Sequence, residues 1–450
     1  VPKTPAKPVD ILENLIAKAR SAGADAADAV YVSRESQSVS VRLGVQESLD
    51  RSETADLGLR VFIGKSQAFS ASSDLSARAL DGMVRAAIDM AKASPADQYA
   101  GLAPEDRLYQ SESGGEDLAD IQRPTAQDDI ERALETEAAA RAVEGVTNSQ
   151  GASAGWSASH IALATSHGFL GEKHSTSYSL SAAVLAKSDA GMERDYASST
   201  KRFFEDMESP QDVGEKAGKR TVARLNPKTL KTGPMPIVFD RRVSSGLISQ
   251  FASAINASSI ARGTSFLRTK MGEQIFAPGI TITDDPHRPR GLRTRLFDGE
   301  GVATKPINLI EDGVLQSWLL ESATARQLGL ETTGHAARGT TGPPSPSASN
   351  LYLAAGDTCF DDLLSDIKTG FYVTEMIGMG VNPVTGDYSR GASGFAILDG
   401  AIAHPVSGLT VAGNLVDMFS ALTPADDLEF RYGTDAPTVR IEGMTVAGEA

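Results

Sequence analysis

Residues 369–406 read TGFYVTEMIGMGVNPVTGDYSRGASGFAILDGAIAHPV. The apolar, β-branched and aromatic runs at either end have strand character. Between them, Gly378 to Gly394 mixes glycines with Asn382, Asp387, Tyr388, Ser389 and Arg390. Glycine serves where the backbone must turn at positive φ or approach another chain closely. Polar side chains delivered on a loop between two strands are a common way to build a binding site. A long, glycine-eased hairpin without a ligand has the same composition, and the residues alone leave both readings open. Either way the stretch is strand, loop, strand, and LDG at 398–400 marks an Asp-Gly hairpin.

The same texture fills the C-terminal half. MPIVFD (235–240) is a short buried-type strand, and Asp240 is placed to cap a helix reaching about Ile255. Strand-like runs follow at GITITDD (279–285), TRLFDGEGVAT (294–304), NLIEDGVLQSWLLE (308–321), SNLYLAAGD (349–357) and TVRIEGMTVAG (438–448). Short helices are expected at Ser322–Leu328 and Phe360–Gly370, and the prolines of 340–349 exclude regular structure there. Such even strand spacing predicts a sandwich or a partly closed barrel.

Upstream the pattern is a helix from Asp10 (N-cap) to Ala22, strands within 28–35, 37–48 and 57–73, and a helix from Asp74 to about Ala93. The order recurs: a helix over Gln127–Val143, strands within 157–166, 175–188 and 192–204, and a helix opened by Pro210 after Ser209. This predicts an internal duplication. Residues 95–124 are polar and turn-rich, and read as a mobile or partner-contacting surface excursion. The expected division is a flexible arm (1–9), an α+β domain (10–228) and a β-rich domain (229–450), an α+β fold as a whole.

A chain of 450 residues exceeds one ordinary core. Its formal net charge of -15 opposes a general nucleic-acid grip. Cys359 is the lone cysteine, so an internal disulfide and a cysteine metal cluster are excluded, and its place before a helix reads as structural. The opening VPKTPAKPV lacks a secretory core, and no apolar run reaches the roughly 18 residues of a membrane span. A soluble, cytoplasmic protein is expected.

The six histidines form no HExxH, HxH or cysteine-histidine motif. His160 and His167, an odd number apart on a strand, would face opposite ways, and ordinary surface histidines are the expected reading. No GxSxG elbow is present, and GMGVNPVTG lacks the helix and spacing of a phosphate loop. Asp298 and Glu300 in FDGEG, near Arg293 and Arg295, are expected to form a salt-bridged turn.

Three longer stretches carry a resemblance. FDGEGVATKPINLIEDGVLQSWLLESATARQLGLETTGHAARG (297–339), PSPSASNLYL (344–353) and GMGVNPVTGDYSRGASGFAILDGAIAHPVSGLTVAGNLVDMF (378–419) resemble the TldD/PmbA family, and within it the PmbA (TldE) type. The likeness covers the C-terminal half closely and the N-terminal half more loosely, in pieces such as GLRVFIGKSQAFSASSD. It implies a two-domain α+β fold and a cytosolic heterodimer with a TldD-type subunit that degrades or matures peptides. It also brings the family's association with microcin maturation, antitoxin turnover and DNA gyrase modulation. In TldD-type subunits a helix after the first C-terminal strand carries HExxxH, and a cysteine near the C-terminus completes the zinc site. The equivalent helix here is SSGLISQFASAINAS (244–258), with Ser249, Gln250 and Ala254 at the motif's positions. Serine and alanine cannot replace imidazole, and a glutamine is no general base.

The resemblance therefore implies no zinc and no catalytic residue in this chain, zinc being confined to the partner. Peptide or partner contact is expected at Asn382, Asp387, Tyr388, Ser389, Arg390 and Gly391, without direct nucleic-acid or membrane binding. The alternative is a self-assembling, homodimeric regulatory protein acting on gyrase or a toxin-antitoxin pair. A hydrolase with an unrecognised site of its own is the third reading.

Overall fold

Alternating apolar and polar residues give the N-terminal half long strands, and glycine turns fold them into one sheet. The computed structural model describes residues 7–110 and 117–448. Residues 1–6 of the expected arm, and 111–116 of the 95–124 segment, lie outside it. α1 (Pro8–Ser21), β1 (Ala26–Arg42), β2 (Val45–Ile63), β3 (Ser66–Ser72) and α2 (Ala77–Ala93) make a first unit. α3 (Ala126–Ala142), β4 (Val146–Thr165), β5 (Leu170–Ser188), β6 (Gly191–Lys201) and α4 (Pro210–Ala223) repeat its order. The six strands form one antiparallel sheet, β3-β2-β1-β4-β5-β6. The units meet at β1–β4, from Asp28 opposite Thr165 to Val41 opposite Ala152. The repeated element order thus appears also as a symmetric strand order.

The helices bury one face of this sheet. α1 and α2 cover Leu57, Leu59 and Ala162, while α3 and α4 cover Val39, Ala154 and Leu180. On the other face Val30, Ile161 and Leu163 pack with Phe169 and with Phe297 of the C-terminal half.

Several boundaries differ from the sequence reading. The first two strands turn at Leu43-Gly44, at φ 54° and 78°, and not near Ser36. Both Glu137 carboxylate oxygens accept the N–H groups of Leu43 and Gly44, each at 2.8 Å, which holds a leucine in a region it otherwise avoids. Residues 57–73 form a hairpin through Gly64-Lys65 and not one strand. Pro8 and Val9, assigned to the arm, begin α1. Ser76, not Asp74, caps α2, its Oγ accepting the Ala79 N–H at 3.3 Å.

Past residue 232 the chain forms β7 (Gly233–Phe239), α5 (Arg241–Ala254), α6 (Ala257–Ala261), β8 (Ile282–Asp284), β9 (Ile307–Glu311) and β10 (Val314–Leu315). α7 (Ser322–Leu328), β11 (Ala336–Ala337), β12 (Ser345–Pro346), β13 (Leu351–Leu353) and α8 (Phe360–Leu364) follow. Then come β14 (Thr369–Ile377), β15 (Asp387–Leu398), β16 (Ala401–Asn414), α9 (Leu415–Ser420), β17 (Leu422–Pro424), β18 (Thr434–Asp435) and β19 (Val439–Ala447). β16-β15-β14-β7-β19 are neighbours in that order, and β19 pairs back onto β16 through Thr410–Ala447. The result is a closed five-stranded barrel, with α5 packing Phe251 against Phe276 and Phe419. A separate sheet runs β10-β9-β8-β13-β18. Both Asp-Gly hairpins are present, with Asp312 and Asp399 each at φ 47°. TRLFDGEGVAT forms no strand and takes part only in isolated bridges, Phe297–Ala303 within itself and Val302 to Leu108.

The 95–124 segment packs within the chain where it is described. The Arg326 guanidinium of α7 donates to the carbonyls of Tyr99 (2.7 Å), Gly101 (3.0 Å) and Leu102 (3.1 Å). Leu108 bridges Val302, and the Tyr109 N–H donates to Gly301 at 2.9 Å. This run is a strap joining the two halves, which corrects the expectation of a surface excursion.

Candidate functional site

β7 delivers the chain into α5 through Asp240, whose carboxylate accepts the Arg242 N–H at 2.8 Å and the Tyr372 hydroxyl. Helical periodicity then divides α5. Ser244, Leu247, Ile248, Phe251 and Ala254 enter the core, while Ser249 and Ser253 face outward. That outer face borders a cleft of about 270 Å³ lined by Ser249, Ser253, Asn256, Arg293, Ser347 and Thr434 among others. Ser249 Oγ donates to the Ser245 carbonyl at 3.0 Å and Ser253 Oγ to that of Ser249 at 2.9 Å, both along the helix. Arg293 reaches Thr434 Oγ1 at 3.4 Å.

Of the expected motif positions, Ser249 borders this cleft, Gln250 is half-buried outside it, and Ala254 turns into the core. The lining offers hydroxyls, an amide and a guanidinium, and neither imidazole, thiol nor carboxylate. Zinc takes its ligands from those absent groups, so the cleft does not fit a catalytic zinc. It is suited to hydrogen-bonding a polar or anionic group.

The glycine-rich stretch divides differently from the sequence reading. Only 378–386 is loop; Asp387, Tyr388, Ser389, Arg390 and Gly391 stand on β15. Tyr388 is buried in the barrel core, and burial pushes its phenol up to about 12. Asp387 accepts Thr385 Oγ1 (2.6 Å) and Asn414 Nδ2 (3.1 Å), which hold its carboxyl below the usual range. Asn382 Oδ1 accepts the Val384 N–H at 3.0 Å, and Arg390 Nε donates to the Gly378 carbonyl at 2.9 Å. The polar residues therefore brace the loop itself, and its outer surface is apolar: Ile377, Val384 and a fully solvated Met379.

Between the halves lies a buried charge cluster of which the sequence reading saw only two members. Arg60 on β2 donates through Nε to Asp28 Oδ2 at 2.8 Å. Arg338 Nη1 stands 2.5 Å from Asp28 Oδ1, and Glu300 Oε1 lies 3.9 Å from Arg60 Nη2. Asp298 accepts the N–H groups of Glu300 (2.8 Å), Val302 (3.0 Å) and Ala336 (2.9 Å). Burial, followed by the Glu300 charge, raises its carboxyl to about 7 in spite of those donors. The expected salt-bridged turn with Arg293 and Arg295 is not formed. Arg295 donates instead to the Ser347 carbonyl, and the nearest guanidinium to Glu300 comes from the first sheet.

Two further groups bear on chemistry. His335 Nε2 and Ser349 Oγ both meet Asp284 Oδ2, at 3.1 and 2.5 Å, deep in the interior. Serine and histidine share the carboxylate and do not bond each other, so this is a structural knot and not a nucleophile-base relay. Cys359 is itself the N-cap of α8, its Sγ accepting the Asp362 N–H at 3.5 Å.

The fold is thus a six-stranded antiparallel sheet of long strands joined to a closed five-stranded barrel with α5 packed against it. Residues 27–91, 119–225 and 232–448 match, in turn, the models for PmbA/TldA metallopeptidase domain 1, central domain and C-terminal domain. The protein belongs to this PmbA/TldD metallopeptidase family. It is 36% identical over 444 residues to Metalloprotease PmbA of Escherichia coli O157:H7, covering 98% of this chain and 96% of that one. A crystal structure from Bacteroides thetaiotaomicron, described as a putative modulator of DNA gyrase, matches with a TM-score of 0.89 at 26% identity over 98% of both chains. TldE from Thermococcus kodakarensis shares the fold, with a TM-score of 0.88 at 20% identity over 97% of this chain and 99% of that one.

Proposed function

We propose that this chain is the non-catalytic subunit of a two-subunit, peptide-processing metalloprotease whose zinc is held by a TldD-type partner. The observation that carries the reading is the donor set beside α5. Within a family of metallopeptidases, this helix carries Ser249, Gln250 and Ala254 where the resemblance places two histidines and a glutamate, and the cleft beside it adds no imidazole, thiol or carboxylate. The chain's part is to complete the chamber and hold an extended peptide, for which backbone pairing to a strand edge is sequence-tolerant. The apolar tip at Ile377, Met379 and Val384 supports partner contact there, braced from behind by Asn382, Asp387 and Arg390.

Peptide cleavage is measured with the chain alone, with a TldD-type subunit alone, and with both. No cleavage by this chain and full cleavage on mixing are expected. Chelator-sensitive cleavage by the isolated chain overturns the reading, and tight client binding by a homodimer without cleavage on mixing favours the regulatory alternative. Arg390→Ala tests the loop: unchanged assembly and unchanged cleavage would remove it from the account.

A further inference from the structure

The two helix layers leave a gap over the middle of the six-stranded sheet. α1 and α2 bury Ala162 and Ala164 of β4, and α3 and α4 bury Ala152 and Ala154. Between those patches, on the same face, is a cleft of about 390 Å³ whose lining includes Glu35, Glu53, Arg123, His160 and His174. His160 and His174 are directly opposed across β4 and β5. Their rings stack with centroids 4.0 Å apart and planes 18° from parallel. Glu172 lies one pleat along β5 on the same face, its Oε2 2.7 Å from His160 Nε2.

We propose that His160, Glu172 and His174 form a binding site for a divalent first-row cation such as zinc. One nitrogen or oxygen from each residue already lies within 4.8 Å of the others. Bonds of about 2.0–2.1 Å require donors no more than roughly 4.2 Å apart. The exposed side chains of Glu172 and His174 supply that closure by small torsional changes, while the paired strands fix the backbones. Two imidazoles with one carboxylate suit zinc and its neighbours and not magnesium or calcium. Of the other charges in the cleft, Glu35 pairs with Arg51 at 2.9 Å, and Arg123 donates to the Asp120 and Gln122 carbonyls. Tyr31 stands edge-on to His160, with centroids 5.7 Å apart, and limits that ring's movement. The cleft side of the cation is left to water or a small anionic ligand.

The cleft is lined only by residues of the N-terminal half and lies on the face opposite the one that packs Phe297, so the site is separate from the proposed protease chamber and stands whether or not that proposal does. Sequence spacing set His160 and His167 on opposite faces and did not bring in His174. The register set by the turn at 166–169 is what brings His174 opposite.

Zinc, and cobalt(II) as a spectroscopic stand-in, are titrated into the full chain after chelator treatment, followed by calorimetry and visible absorption. One equivalent is expected to bind, with a cobalt ligand-field spectrum. His174→Ala and Glu172→Gln should each weaken binding about tenfold or more, equivalent to about 1.4 kcal/mol, with the thermal midpoint of the metal-free chain unchanged. His404→Ala should bind as the parent does. Binding unaffected by His174→Ala, or no stoichiometric binding at all, overturns the proposal.

Discussion

Asp298 shows how burial and hydrogen bonding compete at a single atom group. Its carboxyl is proton-bound in the folded chain up to about pH 7 and in the unfolded chain only up to about pH 4. The folded state therefore holds the extra proton between those values. The stability that Asp298 contributes is full below the lower value and is lost as pH rises through the upper one. In urea titrations across that window, Asp298→Asn should remove this part of the slope while costing about 1–3 kcal/mol, because its amide faces the Ala336 N–H. Identical slopes for parent and variant would show that the carboxyl is not raised. Asp28 gives the complementary case. Asp28→Ala strands Arg60 and Arg338 in the interior and should cost about 3–5 kcal/mol. Asp81→Ala, which breaks an exposed pair with Lys18, should leave the midpoint nearly unchanged by the same measurement. Neither arginine is near Asp298 or Glu300 in sequence, so the local pairing with Arg293 and Arg295 was the only one the sequence offered.

At the scale of the element, legibility followed locality. α4 was readable because Ser209 and Pro210 supply cap and first turn within the element itself. The β9–β10 and β15–β16 hairpins were readable from their Asp-Gly pairs, and α5 from Asp240 and its apolar spacing. The β1–β2 turn was not, since Leu43-Gly44 is fixed by a glutamate on α3. Glu137→Ala should release it, at a cost of about 2–3 kcal/mol for two charge-assisted bonds, read from the denaturation midpoint. A shift below a few tenths would mean that the turn holds itself. The glycine-rich stretch was legible as strand, loop, strand, but not where loop gave way to strand. Tyr388 reads as polar beside Asp387 and Ser389, yet alternation on β15 sends it into the barrel. The α5 cleft was legible in residue type and not in geometry, because a spacing of five residues does not keep Ala254 on the face of Ser249.

Across the whole molecule, the two halves are tied by the Arg326 strap and the Asp28–Arg60–Arg338 cluster. Arg326→Ala frees three carbonyls at once, and limited proteolysis should then cut near residues 99–102 at least about tenfold faster, with cleavage elsewhere unchanged. Equal rates would show that the bridges at Leu108 and Tyr109 suffice. The β1–β4 seam carries a consequence of another kind. The two units beside it share an element order and pair antiparallel, which is the arrangement that two copies of one ancestral unit would make by meeting edge to edge. A chain opened within residues 95–124 would return to that condition. Each fragment would carry a bare strand complementary to the other, so the fragments should be insoluble or self-paired when made apart and should rebuild the sheet when made together.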